Sequence, residues 1–352
     1  QKQVSLCYKK LSMSKKNSNV ILKNNFKNYK ELFTIYSKFK KKLNSFKNKS
    51  FVVAVSGGPD SLALVALSKS FSYQHRCKIY YVLIDHGIRK NSSLEAKSVK
   101  KLLQKYHIKL NILTNRKKIE KNIQSKARII RYDLLTSFCI KKKIKIIFTA
   151  HNFEDQVETF FIRLSRGSGL QGLSSMKQSH KISGNINLVR PLLDIKKIQL
   201  IKISKIIFGK FYKDPSNRNK KFLRTRIRNL KRTLEKSGIN YDQVFRSIKN
   251  LASSRDTLDF YFDKIYKDLI QKKSSKVLLK SSSFDKLNQE MKMKVFNKII
   301  KDFTNANYAP RSKKIFNLIK QLKANKNAKL TLGGCVILRE NNHITFKKET
   351  KN

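Results

Sequence analysis

Tryptophan is missing from these 352 residues, and cysteine, proline and glycine are scarce: four, four and eleven. The thiols, Cys7, Cys77, Cys139 and Cys335, stand far apart. No CxxC occurs, which excludes the ligand spacing of a zinc ribbon or a cysteine-held cluster. Four scattered thiols also make a disulfide framework a poor reading and suit a reducing compartment, so a cytoplasmic protein is expected. None of the six histidines forms an HxxxH pair. Long apolar runs are absent too, which excludes a spanning helix. The first twenty residues lack the apolar segment of a secretory signal. The chain does not begin with Met, and residues 1–12, upstream of Met13, are assigned no function.

Acidic residues are the other scarcity. Asp and Glu number 22 against 80 Lys and Arg, a formal charge of +58. Cations in that excess suit a polyanion, because each lysine or arginine on a phosphate releases counterions. A lysine-, asparagine- and isoleucine-rich composition also follows from an A+T-rich genome, so charge alone does not decide for nucleic acid. Hydrophobic residues make up 40%, enough for a packed core.

The first half alternates. Residues 51–55, 78–85, 109–114 and 145–150 read as strands, and about 61–74, 92–106, 122–140 and 153–166 as helices. That alternation predicts a parallel sheet covered on both faces. In 122–140, Ile123, Ala127, Ile130 and Leu134 share the expected inner face. From about 220 the pattern becomes helical and lysine-rich, and 311–349 reads as a helix and two strands closed by a turn at Glu340–Asn342. The expected order is an N-terminal tail and helix (1–47), an α/β catalytic domain (48–215), a basic helical domain (216–306) and a small C-terminal α/β module (307–352).

With glycine and proline so rare, "SGGPDS" at 56–61 stands out. It follows a strand and opens a helix, where ligands of open α/β sheets bind and free N–H groups favour an anion. Gly57 and Gly58 allow positive φ and close backbone approach. Ser56 and Ser61 supply hydroxyls. Asp60 would repel a phosphate unless Mg²⁺ lay between them. An ordinary βα turn with a helix cap is the plain alternative. No GxxxxGK[ST] occurs, so this is not a Walker loop. "GSGLQG" (167–172) fits GxGxxG but follows a helix, which argues against a dinucleotide site.

The turn resembles the SGGxDS signature of PP-loop ATP pyrophosphatases, the adenine nucleotide alpha hydrolase-like fold. "DHGIR" (85–89), "ARIIRY" (127–132), "TAHNFEDQVETFFIRLSRGSGLQGL" (149–173), "RPLL" (190–193) and "KDPSNRNKKFLRTRIR" (213–228) follow. In that order they are similar to the tRNA(Ile)-lysidine synthetase family. The similarity spans roughly 48–230 with specific motifs and continues more weakly to the end. The resemblance implies that Ser56, Gly57, Gly58, Pro59, Asp60 and Ser61 clasp the pyrophosphate of ATP. It also implies that O2 of the wobble cytidine of a CAU-anticodon tRNA attacks the α phosphate. Free lysine then displaces AMP, giving lysidine and changing the codon read from AUG to AUA.

The other residues suit such chemistry. Arg128 and Arg131 share a helix face and could stabilise the phosphate, or form a surface pair. Tyr132 packs under a base or in the core. Asp155 and Glu158, three apart beside His151, could bind the lysine ammonium and take its proton, or merely complement a helix dipole. Family members usually carry two histidines where this chain has His151-Asn152, so an acid or base at 152 is lost. His86 is a candidate for the adenosine site or a structural histidine. Lys220, Lys221, Arg224, Arg226 and Arg228 form a basic cluster for tRNA phosphates, or a solvated face. Expected partners are ATP with Mg²⁺, tRNA(Ile) and free lysine, with no membrane and with a homodimer left open. The alternatives are another PP-loop tRNA-modifying enzyme such as a thiolase, a small-molecule synthetase, or a non-catalytic RNA-binding protein.

Overall fold

The computed structural model describes residues 26, 29–88, 91–115, 123–182, 185–212, 219, 221–273, 275–304, 310–325, 327–340 and 342–349. Cys7, Arg89, most of the "KDPSNRN" stretch, the expected phosphate ligand Lys220 and Asn341 lie outside them. The chain divides into two compact units, Gln1–Ser165 with Ser175–Ile248, and Arg166–Ser174 with Lys249–Asn352.

The first unit is built on a six-stranded sheet. Its strands are β1 (Phe51–Val55), β2 (Ile79–Asp85), β3 (Leu110–Thr114), β4 (Ile146–Phe148), β5 (Ser179–Lys181) and β6 (Asn187–Val189), in the order β3-β2-β1-β4-β6-β5. All neighbours run parallel except β5 on β6. β1 illustrates why. Phe51, Val53 and Val55 enter one core and Val52 enters another, so its alternate residues are buried on opposite faces. β-branched and aromatic side chains fill such a doubly covered strand, which antiparallel, half-wet strands do not require.

The helices are α1 (Lys30–Lys42), α2 (Pro59–Gln74), α3 (Ser92–Gln104), α4 (Ile123–Lys141), α5 (Phe153–Leu164), the single turn α6 (Leu170–Leu173), α7 (Lys197–Phe208), α8 (Leu223–Asn229), α9 (Lys231–Lys236) and α10 (Tyr241–Leu269). α2 begins at Pro59, two residues before the expected start, since proline's fixed φ and missing N–H suit the first helical position. It is buried nearly all round: Leu62 to Leu67 share a core with Leu32 and Phe39 of α1 and Leu200 and Ile203 of α7. Opposite, Leu135 and Cys139 of α4 pack on Val52, Val82 and Ile147. Ile123, expected on that inner face, is 44% exposed. Phe153 and Val157 of α5 form a small cluster with Tyr241 and Ile248.

The second unit carries a five-stranded antiparallel sheet, β7 (Ile270–Lys272), β8 (Lys276–Lys280), β9 (Lys329–Leu332), β10 (Cys335–Arg339) and β11 (His343–Lys348), ordered β7-β8-β11-β10-β9. The expected β10–β11 pair is there, and three further strands extend it. α11 (Ser281–Asp285), α12 (Gln289–Thr304) and α13 (Ser312–Ala324) complete the unit, whose core includes Phe284, Phe296, Ile315 and Phe346. α6 belongs here, held by Gln171 Nε2 on Asp259 (3.1 Å) and by Arg255 on the Ser174 hydroxyl (2.9 Å).

Candidate active site

The strand order reverses direction at β1, with β2 on one side and β4 on the other. Ligands of open α/β sheets bind at such a switch point, beyond the carboxyl ends of the strands. The turns after β1, β2 and β4 carry Ser56–Ser61, His86 and His151 to that place.

The first turn is tied to itself. The Ser61 Oγ accepts the Ser56 N–H (3.1 Å) and hydroxyl (3.2 Å) and donates to the Gly58 carbonyl (3.0 Å). Gly57 has φ +80°, and a Cβ there would stand 2.5 Å from a Val99 methyl. Gly58 has φ −73°, so only the first glycine uses the left-handed region. The Gly57 carbonyl accepts the Tyr212 N–H at 3.0 Å. Gly57→Ala therefore meets backbone strain of ~1–2 kcal/mol as well as the clash. It should weaken Mg·ATP binding in calorimetry far more than it lowers stability, because the turn moves while the sheet beneath it stays.

Asp60 lies in the first turn of α2. One carboxylate oxygen, Oδ1, is buried without a partner, and Oδ2 is 4.0 Å from the Lys197 ammonium. Burial pushes its carboxyl up to about 6; Lys197 works against that, Asp155 adds to it, and the Asn152 amide lowers it by hydrogen bonding.

Asn152 explains itself in this setting. It is buried and is the N-cap of α5. Its Oδ1 accepts the Asp155 N–H (3.0 Å), and its own N–H donates to Asp155 Oδ2 (3.1 Å). This reciprocal box closes two open helix-end donors. Position 152 thus acts here as a helix cap rather than as an acid or base. Glu154 caps another helix, accepting the Lys197 N–H at 2.8 Å.

His151 is held by the Thr149 hydroxyl, 3.0 Å from Nδ1. Burial pushes its pKa down to about 3; Asp155 opposes this, and Arg190, Arg128 and Arg224 add to it. The unfolded chain takes up that proton near 6.5 and the folded chain does not. This group therefore costs stability as pH falls below about 6.5. Its ring resonances should stay constant between pH 5 and 8 by NMR; a midpoint near 6.5 would show an open, titrating histidine.

Arginines supply the cationic side. The Arg128 guanidinium lies 5.1 Å from the Tyr132 ring centre, and Tyr132 hydrogen-bonds Arg190. Arg190 is 4% exposed and donates to the Lys177 carbonyl at 2.9 Å. Arg131 donates to His86 Nε2 at 3.4 Å. That leaves the other ring nitrogen, Nδ1, buried and unpartnered, with the proton. Burial lowers the His86 pKa, with Arg131 adding to it.

Glu158 departs from expectation. It is 2% exposed and takes a two-pronged bond from Arg228 (Nε 2.7 Å, Nη2 3.1 Å), with Arg224 Nε at 3.2 Å. Arg224 also donates to the Thr159 hydroxyl at 3.0 Å. The two arginines are four apart on α8, so they share a face, and that face meets α5. Two cations expected on tRNA phosphates are turned inward, onto a carboxylate expected to meet lysine. Arg226, on the opposite side, and Lys221 are exposed.

A family model described as "PP-loop domain" matches residues 32–233, more than half of the chain. Curated tRNA(Ile)-lysidine synthases are similar over most of its length. That of Wolbachia sp. subsp. Brugia malayi is 31% identical over 308 residues, 86% of this chain and 71% of that protein. That of Wolbachia pipientis wMel is 32% identical over 314 residues, 87% and 72%.

The chain belongs to the tRNA(Ile)-lysidine synthase family.

Among solved structures, the U34-tRNA thiolase NcsA from Methanococcus maripaludis with its [4Fe-4S] cluster matches with TM-score 0.55. At 19% identity over 63% of this chain and 79% of that one, it shares the fold alone. The described cysteines are unpaired; Cys77 precedes β2, Cys139 lies in α4 and Cys335 opens β10, so none of them lies in the turns after β1, β2 or β4. Sequence reasoning missed Lys197, the buried Arg190 and the cap at Asn152. The i, i+4 spacing of Arg224 and Arg228 was the visible sign of a shared partner.

Proposed function

We propose that this family member adenylates O2 of the wobble cytidine of a CAU-anticodon tRNA(Ile) and then joins free lysine to C2, making lysidine. The chain is an ATP-using ligase of that family. One observation carries the residue assignment: the Ser56–Ser61 turn, the cations Arg128, Arg190 and Lys197, and the carboxylates Asp60 and Asp155 converge at one switch point.

In the first step O2 attacks the α phosphorus and the bond to pyrophosphate breaks. Ser56 to Ser61 hold the leaving phosphates through turn N–H groups and the α2 N-terminus. Asp60 fits a Mg²⁺ ligand, since its Oδ1 is buried and unpartnered, and Mg²⁺ needs only one or two carboxylates beside phosphates. Bound there, Mg²⁺ would neutralise phosphate charge. Arg128 and Arg131 stabilise the phosphoryl charge by position rather than by covalent help. His86 Nδ1–H is a donor for the adenosine.

In the second step the lysine amine attacks C2 and the C2–O2 bond breaks, O2 leaving with AMP. Lysine arrives as an ammonium ion, and half-buried Asp155 is placed to hold it and take the proton. Glu158 holds α8 against α5 through its two arginines. Neutral His151 serves as a hydrogen-bonding wall. Exposed Arg226 and Lys221 remain for tRNA phosphates. Among the described residues no helix is long and apolar enough to cross a membrane, and with unpaired thiols we place the reaction in the cytoplasm.

The test is mass analysis of the wobble nucleoside after incubation with ATP, lysine and tRNA(Ile) transcripts. Lysidine should appear only with all three present. A sulfur-bearing base, or pyrophosphate release without lysine incorporation, would overturn the reading.

A further inference from the structure

The phosphate-binding turn has a deficit. Residues 56–61 contain no cationic side chain and one anionic one, Asp60. A triphosphate brings several negative charges to this place, and more charge collects on pyrophosphate as it departs. In phosphoryl transfer, catalysis rests on cations already in position. Mg²⁺ at Asp60 would meet part of that charge, and a side-chain cation has to come from another element.

α7 provides it. α7 packs on α2 through Leu200 and Ile203, and the Ser204 hydroxyl donates to the Pro59 carbonyl inside the turn. The backbone of Lys197 is fixed by Glu154 at 2.8 Å. Its ammonium reaches Asp60 Oδ2 only at 4.0 Å, beyond hydrogen-bond distance, and its side chain stays 34% exposed. The neighbouring lysines are committed elsewhere. Lys196 bonds Asp242 at 2.9 Å, and Lys202 pairs with Glu31. A lysine serving only to neutralise Asp60 would close on it, as Lys42 closes on Asp194. Lys197 is anchored at its backbone, loose at its tip and aimed at the turn.

We propose that Lys197 is a substrate-binding residue whose ammonium takes the β and γ phosphate oxygens of ATP and stays with the pyrophosphate as it leaves. It supplies from α7 the cation that the turn lacks. This rests on the reading that the Ser56–Ser61 turn receives those phosphates.

The test is calorimetric titration of the full chain with Mg·ATP, Mg·pyrophosphate and AMP, for the wild type, Lys197→Met and Lys197→Arg. Met keeps most of the stem, and the Glu154 cap uses only backbone, so the fold is retained. Lys197→Met should weaken Mg·ATP and pyrophosphate binding by roughly 10- to 100-fold, the size of a lost charge-assisted contact, with AMP binding unchanged. Arg should restore most of the loss. A purely structural lysine would alter AMP and ATP binding alike, or resist rescue by Arg, and either result overturns the assignment. So does unchanged Mg·ATP affinity. Asp60→Ala and Ser61→Ala run beside them. If neither turn variant affects Mg·ATP binding, the reading of the turn itself fails. If they do and Lys197→Met does not, only the lysine assignment fails.

Discussion

Asp60→Ala is expected to lower tRNA-dependent ATP–pyrophosphate exchange by at least ~100-fold while leaving the melting temperature unchanged or higher. The two effects have opposite signs for one reason. Burial holds the carboxyl up at about 6, against an ordinary 3.8, so ionised Asp60 at pH 7 costs the ligand-free fold stability. That cost is absent below about pH 4 and complete above about pH 6. Lys197 at 4.0 Å and the Asn152 amide relieve it only in part, and Oδ1 is left without a hydrogen-bond partner. Removing the group therefore relaxes the empty protein. The same orphaned oxygen is the ligand proposed for Mg²⁺, so removing it disables the first step. Near-normal exchange, or a fall in melting temperature large enough to explain the loss, would show that Asp60 is a structural residue.

Glu158→Gln should do the reverse: destabilise the protein and depress both half-reactions together. Arg228 and Arg224 lose their counter-charge at a carboxylate only 2% exposed. Breaking a buried pair costs about 3–5 kcal/mol. The arginine side chains are 32% and 40% exposed, so solvent screens part of that. A loss of ~1–3 kcal/mol is expected in denaturant unfolding. α8 then loosens from α5, and the helix bearing Asp155 loses its support. A double-mutant cycle with Arg228→Gln should show coupling of ~1–3 kcal/mol. Asp155→Asn supplies the contrast. Its amide oxygen can still take the Asn152 N–H, so the cap survives, but the charge for the lysine ammonium is gone. Adenylated tRNA should accumulate with that variant. If it accumulates instead with a fully stable Glu158→Gln, the ammonium displaces the arginines from Glu158, and Glu158 is the lysine carboxylate.

Some of this was legible in the chain and some was not. β1 to β4 were, because each is a short apolar run rich in β-branched or aromatic residues that alternates with a helical segment. β5 and β6 were not: three residues each, they carry too little pattern and exist through pairing with each other and with β4. The same holds for β7 to β9, which complete the sheet around the legible β10–β11 pair. α4 was legible as a helix but not in phase. Ala127, Leu135 and Cys139 reach the core, whereas Ile123 does not. A 3.6-residue period states that a face exists, and only the sheet beneath decides which residues occupy it.

The site divides along the same line. Sequence by itself determined the turn, its one carboxylate and the motif order that places the chain in its family. These are local: a glycine at φ +80° beside a strand end and a proline opening a helix need no distant partner to be recognised. Only the tertiary structure decided what the charged residues do. Glu158 and Arg228 stand 70 positions apart and Asp60 and Lys197 farther still, and no period links them. In a chain with 80 lysines and arginines, the few that matter cannot be told by type. They are told by which carboxylate each can reach once the sheet has fixed α2, α5, α7 and α8, because an ion pair falls off with distance in space and takes no account of distance along the chain.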